Sequence, residues 1–152
     1  MKPDINAVEI AEMANACVLM RTRLVSRVVT GIYDQELRPF GLNSSQFALL
    51  VVIAQLGPST RAEISRYHHQ DRSTLTRNLQ VMLNQGWIEE ALEGSSGRGR
   101  SIVLTKSGRD LLHAVVPAWR AGQAQAKITI GQSGVVAIRQ IADGIMNMPE
   151  RA

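Results

Sequence analysis

Four side chains within five consecutive residues, Ser73, Thr74, Thr76 and Arg77, have the chemistry to read a polyanion. Hydroxyls and a guanidinium bond phosphate oxygens and base edges, and no acid stands among them. Arg72 immediately precedes the group, and Asp71 before it is a helix N-cap residue. On such a helix Ser73, Thr76 and Arg77 are expected to read bases or phosphates near a major groove, and Arg72 and Thr74 to touch the backbone. Two further arginines, Arg98 and Arg100, flank Gly99 at the end of the glycine-rich run Gly94-Ser95-Ser96-Gly97. Glycines keep a backbone thin enough for a narrow groove, and arginine suits the negative potential of a minor groove. The alternative for these two is a hairpin tip with solvated guanidiniums. The expected ligand is therefore double-stranded DNA; an ordinary amphipathic surface helix is the competing reading.

Other chemistries find less support. Cys17, the one cysteine, is a candidate redox site because Arg21 one turn on would favour its thiolate. It also lies on an apolar stripe, where cysteine serves as a small hydrophobe. A single cysteine excludes an intramolecular disulfide framework. His68 and His69 are adjacent and point apart on a helix, and His113 has no acid or cysteine at ligand spacing, so no metal site is expected. The glycine-rich run lacks the Gly-Lys-Ser/Thr ending of a P-loop, and neither a nucleophile elbow nor a carboxylate pair is present. The chain is not expected to be an enzyme or to need a cofactor. Trp119, Met20 and His113 are candidates to line a small-molecule pocket, against a plain core role for Trp119.

Positioning such a reading helix takes a scaffold. Leu75, Leu79, Met82 and Leu83 recur at helical spacing and give residues 71–85 a buried face opposite the polar one, with Gly86 as the stop. Upstream, Thr60-Arg61-Ala62-Glu63 is a capping box opening a short helix with Ile64 and Tyr67 inward. His68-His69-Gln70 is the turn between the two, which makes a helix-turn-helix. Asn43 to Gln46 is another capping box, opening an apolar helix expected to be buried all round and closed by Gly57-Pro58. Residues 87–92 and 100–104 read as two strands of a hairpin wing. Residues 7–37 read as one long helix with Gly31 as its expected kink. At 1.5 Å per residue it would run about 45 Å, more than one small domain can cover, so part of its stripe should meet a second copy. After the wing, Thr105 caps a helix that Pro117 should kink or break, and Gly131 and Gly134 bracket a further break.

The bulk figures agree. The 152 residues are 45% hydrophobic and 20% charged, as in a globular chain with a core. The net charge of +4 is concentrated: residues 60–109 hold eight basic against five acidic side chains, while residues 1–59 hold five of each. The longest apolar run, Phe47 to Ala54, is far shorter than a membrane span, and the N-terminus has no secretory signal, so a cytoplasmic location is expected.

Taken together, these stretches resemble the MarR family of bacterial transcriptional regulators. Tyr33 to Leu42 followed by Gln46-Phe47-Ala48-Leu49-Leu50, then Asp71 to Leu79, Gln85 to Glu89, and Leu104 to Arg109 carry the resemblance over nearly the whole chain. It implies a mainly α fold with a small β-hairpin wing. A single domain would span 1–152, with a winged helix-turn-helix DNA-binding lobe at 43–106 between dimerisation helices at 1–40 and 107–152. It further implies a homodimeric regulator, a repressor, bound to a pseudo-palindromic operator and released by a small aromatic effector. Two departures stand out: Ser96 falls where the family has an acid that steadies the wing, and His69 falls where the turn usually has glycine. A thiol-based redox regulator through Cys17, and a winged helix serving protein–protein contact, are the alternatives.

Overall fold

Local capping chemistry sets most helix starts. In the computed structural model, which describes residues 5–91 and 100–148, α1 (Ala7–Ala16) begins on a full capping box between Asn6 and Glu9. α2 is Val18–Leu37, followed by a single 3-10 turn at Arg38–Phe40. α3 (Ser44–Leu56) opens on the Asn43–Gln46 box, and α4 (Arg61–His68) on the Thr60–Glu63 box. α5 is Arg72–Asn84. The strands β1 (Ile88–Ala91) and β2 (Ser101–Leu104) pair antiparallel, Ile88 opposite Leu104 and Ala91 opposite Ser101. α6 (Lys106–Ala114) is capped by Thr105, and α7 is Val116–Met146.

α3 is the hub of the core. Leu49, Leu50 and Ile53 from α3 meet Ile64 of α4, Leu75, Leu79 and Met82 of α5, and Ile88 and Ile102 of the hairpin, all buried. Each such side chain stabilises the fold by roughly 1.5–3 kcal/mol relative to exposure. The hairpin is stitched to the segment between α3 and α4 by an isolated bridge, Ile102 N–H to Ser59 O at 2.8 Å and Ser59 N–H to Ile102 O at 3.3 Å. α2 and α7 pack along each other, with Leu37 of α2 buried in this core, the ring of Tyr33 against Gly122 and its hydroxyl bonded to Gln123.

Two sequence expectations change, and two expected helix breaks are located. The long N-terminal helix breaks at Cys17, where ψ is 114°, and runs unbroken through Gly31. No proline or glycine causes this break; Arg21 folds back and donates to Asn15 O at 2.9 Å, satisfying a carbonyl that the end of α1 leaves open. α3 is not buried all round: Val51 is 39% exposed and Ala54 is exposed, because one side of the helix borders an open cavity. The helix after the wing is two helices, divided at Val115, with Pro117 in the first turn of α7, where its missing N–H breaks no bond. The expected break farther on is a single residue, Gly131, with φ 71° and ψ 166°.

Candidate nucleic-acid interface

The helix-turn-helix is built from the turn outward. α4 ends at His68 and is capped by His69, whose φ of 49° and ψ of 34° are left-handed, the one such non-glycine among the described residues. Its neighbours hold it there: Gln70 N–H donates to Ser65 O at 3.3 Å, and the Ser65 hydroxyl donates to Gln70 O at 2.8 Å. Ser65 closes the turn from inside α4, a role its sequence position does not announce. The turn keeps its expected length despite the histidine, and α5 starts directly at Arg72.

Asp71 organises the first turn of α5. Its carboxylate accepts from Thr74 N–H at 2.8 Å, from the Thr74 hydroxyl at 2.6 Å and from the Ser73 hydroxyl at 2.9 Å. The Thr74 hydroxyl and amide bonds, then the Ser73 hydroxyl, lower the Asp71 pKa to about 2, so it is ionised throughout the neutral range. Both hydroxyl protons are thereby committed inward, and the outward lone pairs of Ser73 and Thr74 accept hydrogen bonds. Arg77 stands one turn on, exposed, with Nη2 at 3.5 Å from Thr74 Oγ1. Arg72 and Thr76 are exposed beside it and line a recess of about 260 Å³ with Arg61, Ala62 and Leu75. Opposite, Leu75, Leu79 and Met82 are buried as their spacing predicts, and Leu83 is half-buried. Asn78 ties the helix to the start of α3 through the Ser45 hydroxyl at 3.0 Å.

The wing begins where α5 ends. Gly86 takes a φ of 72°, a conformation that excludes most side chains, and turns the chain into Trp87 and β1. Thr105 locks the other end: its hydroxyl donates to Gly86 O at 2.6 Å, and its N–H donates to Trp87 O at 3.1 Å. Arg100 does not project freely from the wing. Its Nη1 lies 3.0 Å from Glu90 Oε2, and Arg61 Nη2 lies 2.5 Å from Glu90 Oε1. Arg61, then Arg100, lower the pKa of Glu90. Arg98 and Ser96 lie outside the described residues. Sequence reasoning missed Arg61 and Glu90, which are 29 residues apart and share no local pattern.

Cys17 sits at the junction of α1 and α2, half-buried, at the N-cap position of α2. The Arg21 guanidinium bonds backbone carbonyls of Ala14 and Asn15 there. Tyr33 is engaged with Gln123. Behind the helix-turn-helix, an apolar cavity of about 620 Å³ opens between α3, α6 and α7, lined by Phe47, Val51, Leu112, Val115 and Trp119 among others. His68 of α4 reaches into it, and its pKa is lowered first by burial and then by the neighbouring His69. Trp119 is thus a cavity wall, 38% exposed, and not core; Met20 and His113 do not line the cavity.

A family model described as "MarR family" matches residues 40–100. The HTH-type transcriptional regulator YwoH of Bacillus subtilis is 33% identical over 81 residues, 53% of this chain and 58% of that protein. The match thus spans little more than half the length of the curated relatives. The transcriptional regulator MosR of M. tuberculosis is 34% identical in a solved structure, with a TM-score of 0.71, covering 85% of this chain and 93% of that one. A MarR variant from E. coli, solved in complex with operator DNA, has the same fold at 17% identity, with a TM-score of 0.77 and coverage of 88% and 96%. With one relative a third identical along nearly its whole length, and the family model lying over the helix-turn-helix and first strand, the chain belongs to the MarR family of transcriptional regulators.

Proposed function

We propose that the protein is a homodimeric DNA-binding repressor that places α5 of each subunit in successive major grooves of a pseudo-palindromic operator. The observation that carries this reading is the outer face of α5: Ser73, Thr74, Thr76 and Arg77, fixed by the Asp71 cap and backed by a buried leucine face. With their protons held by Asp71, Ser73 and Thr74 suit base amino donors, in place of the backbone contact expected of Thr74, while Arg77 suits guanine acceptors and Arg72 the backbone. Arg98 would bring the wing to the minor groove, while Arg100, expected there too, is held at the base of the wing on Glu90. Residues 43–106 would form the DNA-binding lobe, and residues 1–40 and 107–152 the dimerisation helices. α1 has no buried residue, and Val8, Leu19 and Ile141 are 76%, 65% and 62% exposed, which supports a second copy covering them. An effector of small aromatic type would enter the apolar cavity beside Trp119, next to His68 at the end of α4, where its binding would press on the turn that aims α5.

Fluorescence anisotropy with duplexes from the intergenic region beside the gene tests the reading. Expected are a complex of two chains per duplex that resists unrelated competitor DNA, and its release by members of a panel of small aromatic acids and phenols. Equal affinity for every duplex would overturn the operator reading, and binding to none would leave the winged helix as a protein–protein module. Redox control through Cys17 predicts peroxide-driven release that is lost in Cys17→Ser; release by peroxide that persists in that variant removes Cys17 from the mechanism.

A further inference from the structure

Arg61, Glu90 and Arg100 form a charge cluster that joins three elements: the first turn of α4, β1 and the residue leading into β2. Glu90 offers one oxygen to each guanidinium, at 2.5 Å and 3.0 Å, so the two arginines stand side by side on a single carboxylate. Their side chains remain 41% and 65% exposed, against 21% for Glu90. A guanidinium carries five donors, and each arginine meets Glu90 through one nitrogen, leaving its outer edge to solvent. Two positive charges and one negative leave the cluster at +1, which one phosphodiester neutralises. The recess of about 260 Å³ beside Arg61 is shared with Arg72 and Thr76, so the cluster borders the start of α5.

We propose that Arg61 and Arg100 form a site for one DNA backbone phosphate, and that Glu90 is a positioning residue that sets the pair side by side while limiting their attraction to DNA of any sequence. The inference rests on the DNA-binding reading above. Glu90 works in two ways. It spaces two guanidiniums that would otherwise repel each other. It also cancels one of their charges, so phosphate binds the pair only where the rest of the interface brings the backbone close. A cluster at +2 would hold any duplex it met.

The test compares Glu90→Gln with Glu89→Gln, an equal change of net charge one residue away on the other face of the strand. Kd for an operator duplex and for a scrambled duplex is measured by anisotropy between about 50 and 200 mM salt. Glu90→Gln should tighten scrambled-duplex binding about three- to tenfold at the lowest salt and steepen the slope of log K against log salt by about 0.9 per added phosphate contact. Operator binding should gain less, so the ratio of specific to non-specific affinity falls. Glu89→Gln should keep the wild-type slope. Arg61→Ala should shallow the slope for the operator duplex and leave the scrambled-duplex slope near the wild-type value. A Glu90→Gln protein that weakens on both duplexes makes Glu90 a strut only, and one whose slope matches Glu89→Gln makes the effect bulk charge; either result overturns the proposal. Wild-type protein that binds neither duplex overturns the DNA-binding reading, and this inference with it.

Discussion

His69 holds a backbone conformation that a β-carbon disfavours by roughly 1–2 kcal/mol. It does so at the one turn that sets the angle between α4 and α5, with the Ser65 and Gln70 bonds imposing it. Replacing it by glycine removes the strain, partly offset by the entropy of a freer unfolded chain. His69→Gly should therefore raise the thermal midpoint by about 2–4 °C in a melt followed by circular dichroism. A lower midpoint would show that the imidazole itself makes a stabilising contact. Arg77 is the residue whose loss should be felt most in DNA reading: Arg77→Ala should weaken operator binding by roughly 1–3 kcal/mol while changing scrambled-duplex binding less. Asp71 adds a pH signature. Its pKa is depressed from 3.8 to about 2 by bonds made only in the folded state, so its contribution is fully present above about 3.8 and disappears as pH falls towards 2. Acid should fray the start of α5 over that window, and Asp71→Asn, which keeps a capping oxygen, should flatten the dependence seen by amide exchange at Thr74 and Leu75.

Among the elements, what could be read from the chain and what could not divide along a physical line. Asn43–Gln46, Thr60–Glu63, Asp71 and Thr105 all cap the helices they precede, because a cap is chemistry between residues three apart. The break at Cys17 carries no such mark: it follows from Arg21 reaching back to Asn15 and from the absence of any core against α1. The open side of α3 was equally hidden, since apolarity alone does not separate a core face from a cavity wall. In the candidate site, the α5 residues were legible through their helical period. Arg61 and Glu90 were not, because strand register and helix packing bring them together from 29 residues apart. The wing base depends on one more such approach. A β-carbon on Gly108 would stand 2.0 Å from the Trp87 carbonyl oxygen, a backbone atom that cannot swing away. Gly108→Ala should then push α6 off the hairpin, costing about 1–3 kcal/mol in denaturant melts. It should also weaken DNA binding through the displaced wing; unchanged stability would mean that the contact relaxes freely.

At the scale of the whole molecule, the question is what covers the helices that one chain leaves bare. Along α1 and α2, Val8, Met13, Val18, Leu19 and Leu24 are all close to half exposed or more, and Ile138, Ile141 and Ile145 repeat the pattern beyond the Gly131 kink. These stripes lie at both ends of the chain and away from the core that holds α3 to α5. A charge placed on them should disrupt assembly without disturbing that core. Leu19→Glu with Ile141→Glu should convert a species of twice the 16.7 kDa chain mass into one of that mass in analytical ultracentrifugation. If the lobe folds independently of assembly, far-UV circular dichroism should keep the helix signal, and an isolated half-site duplex should still bind weakly. Affinity for the full operator should fall far more than affinity for the half-site, because two lobes joined by a dimer bind the second half-site at high effective concentration. A wild-type chain that sediments as a monomer while binding the full operator tightly would remove the second copy from the mechanism and leave the bare stripes to another partner.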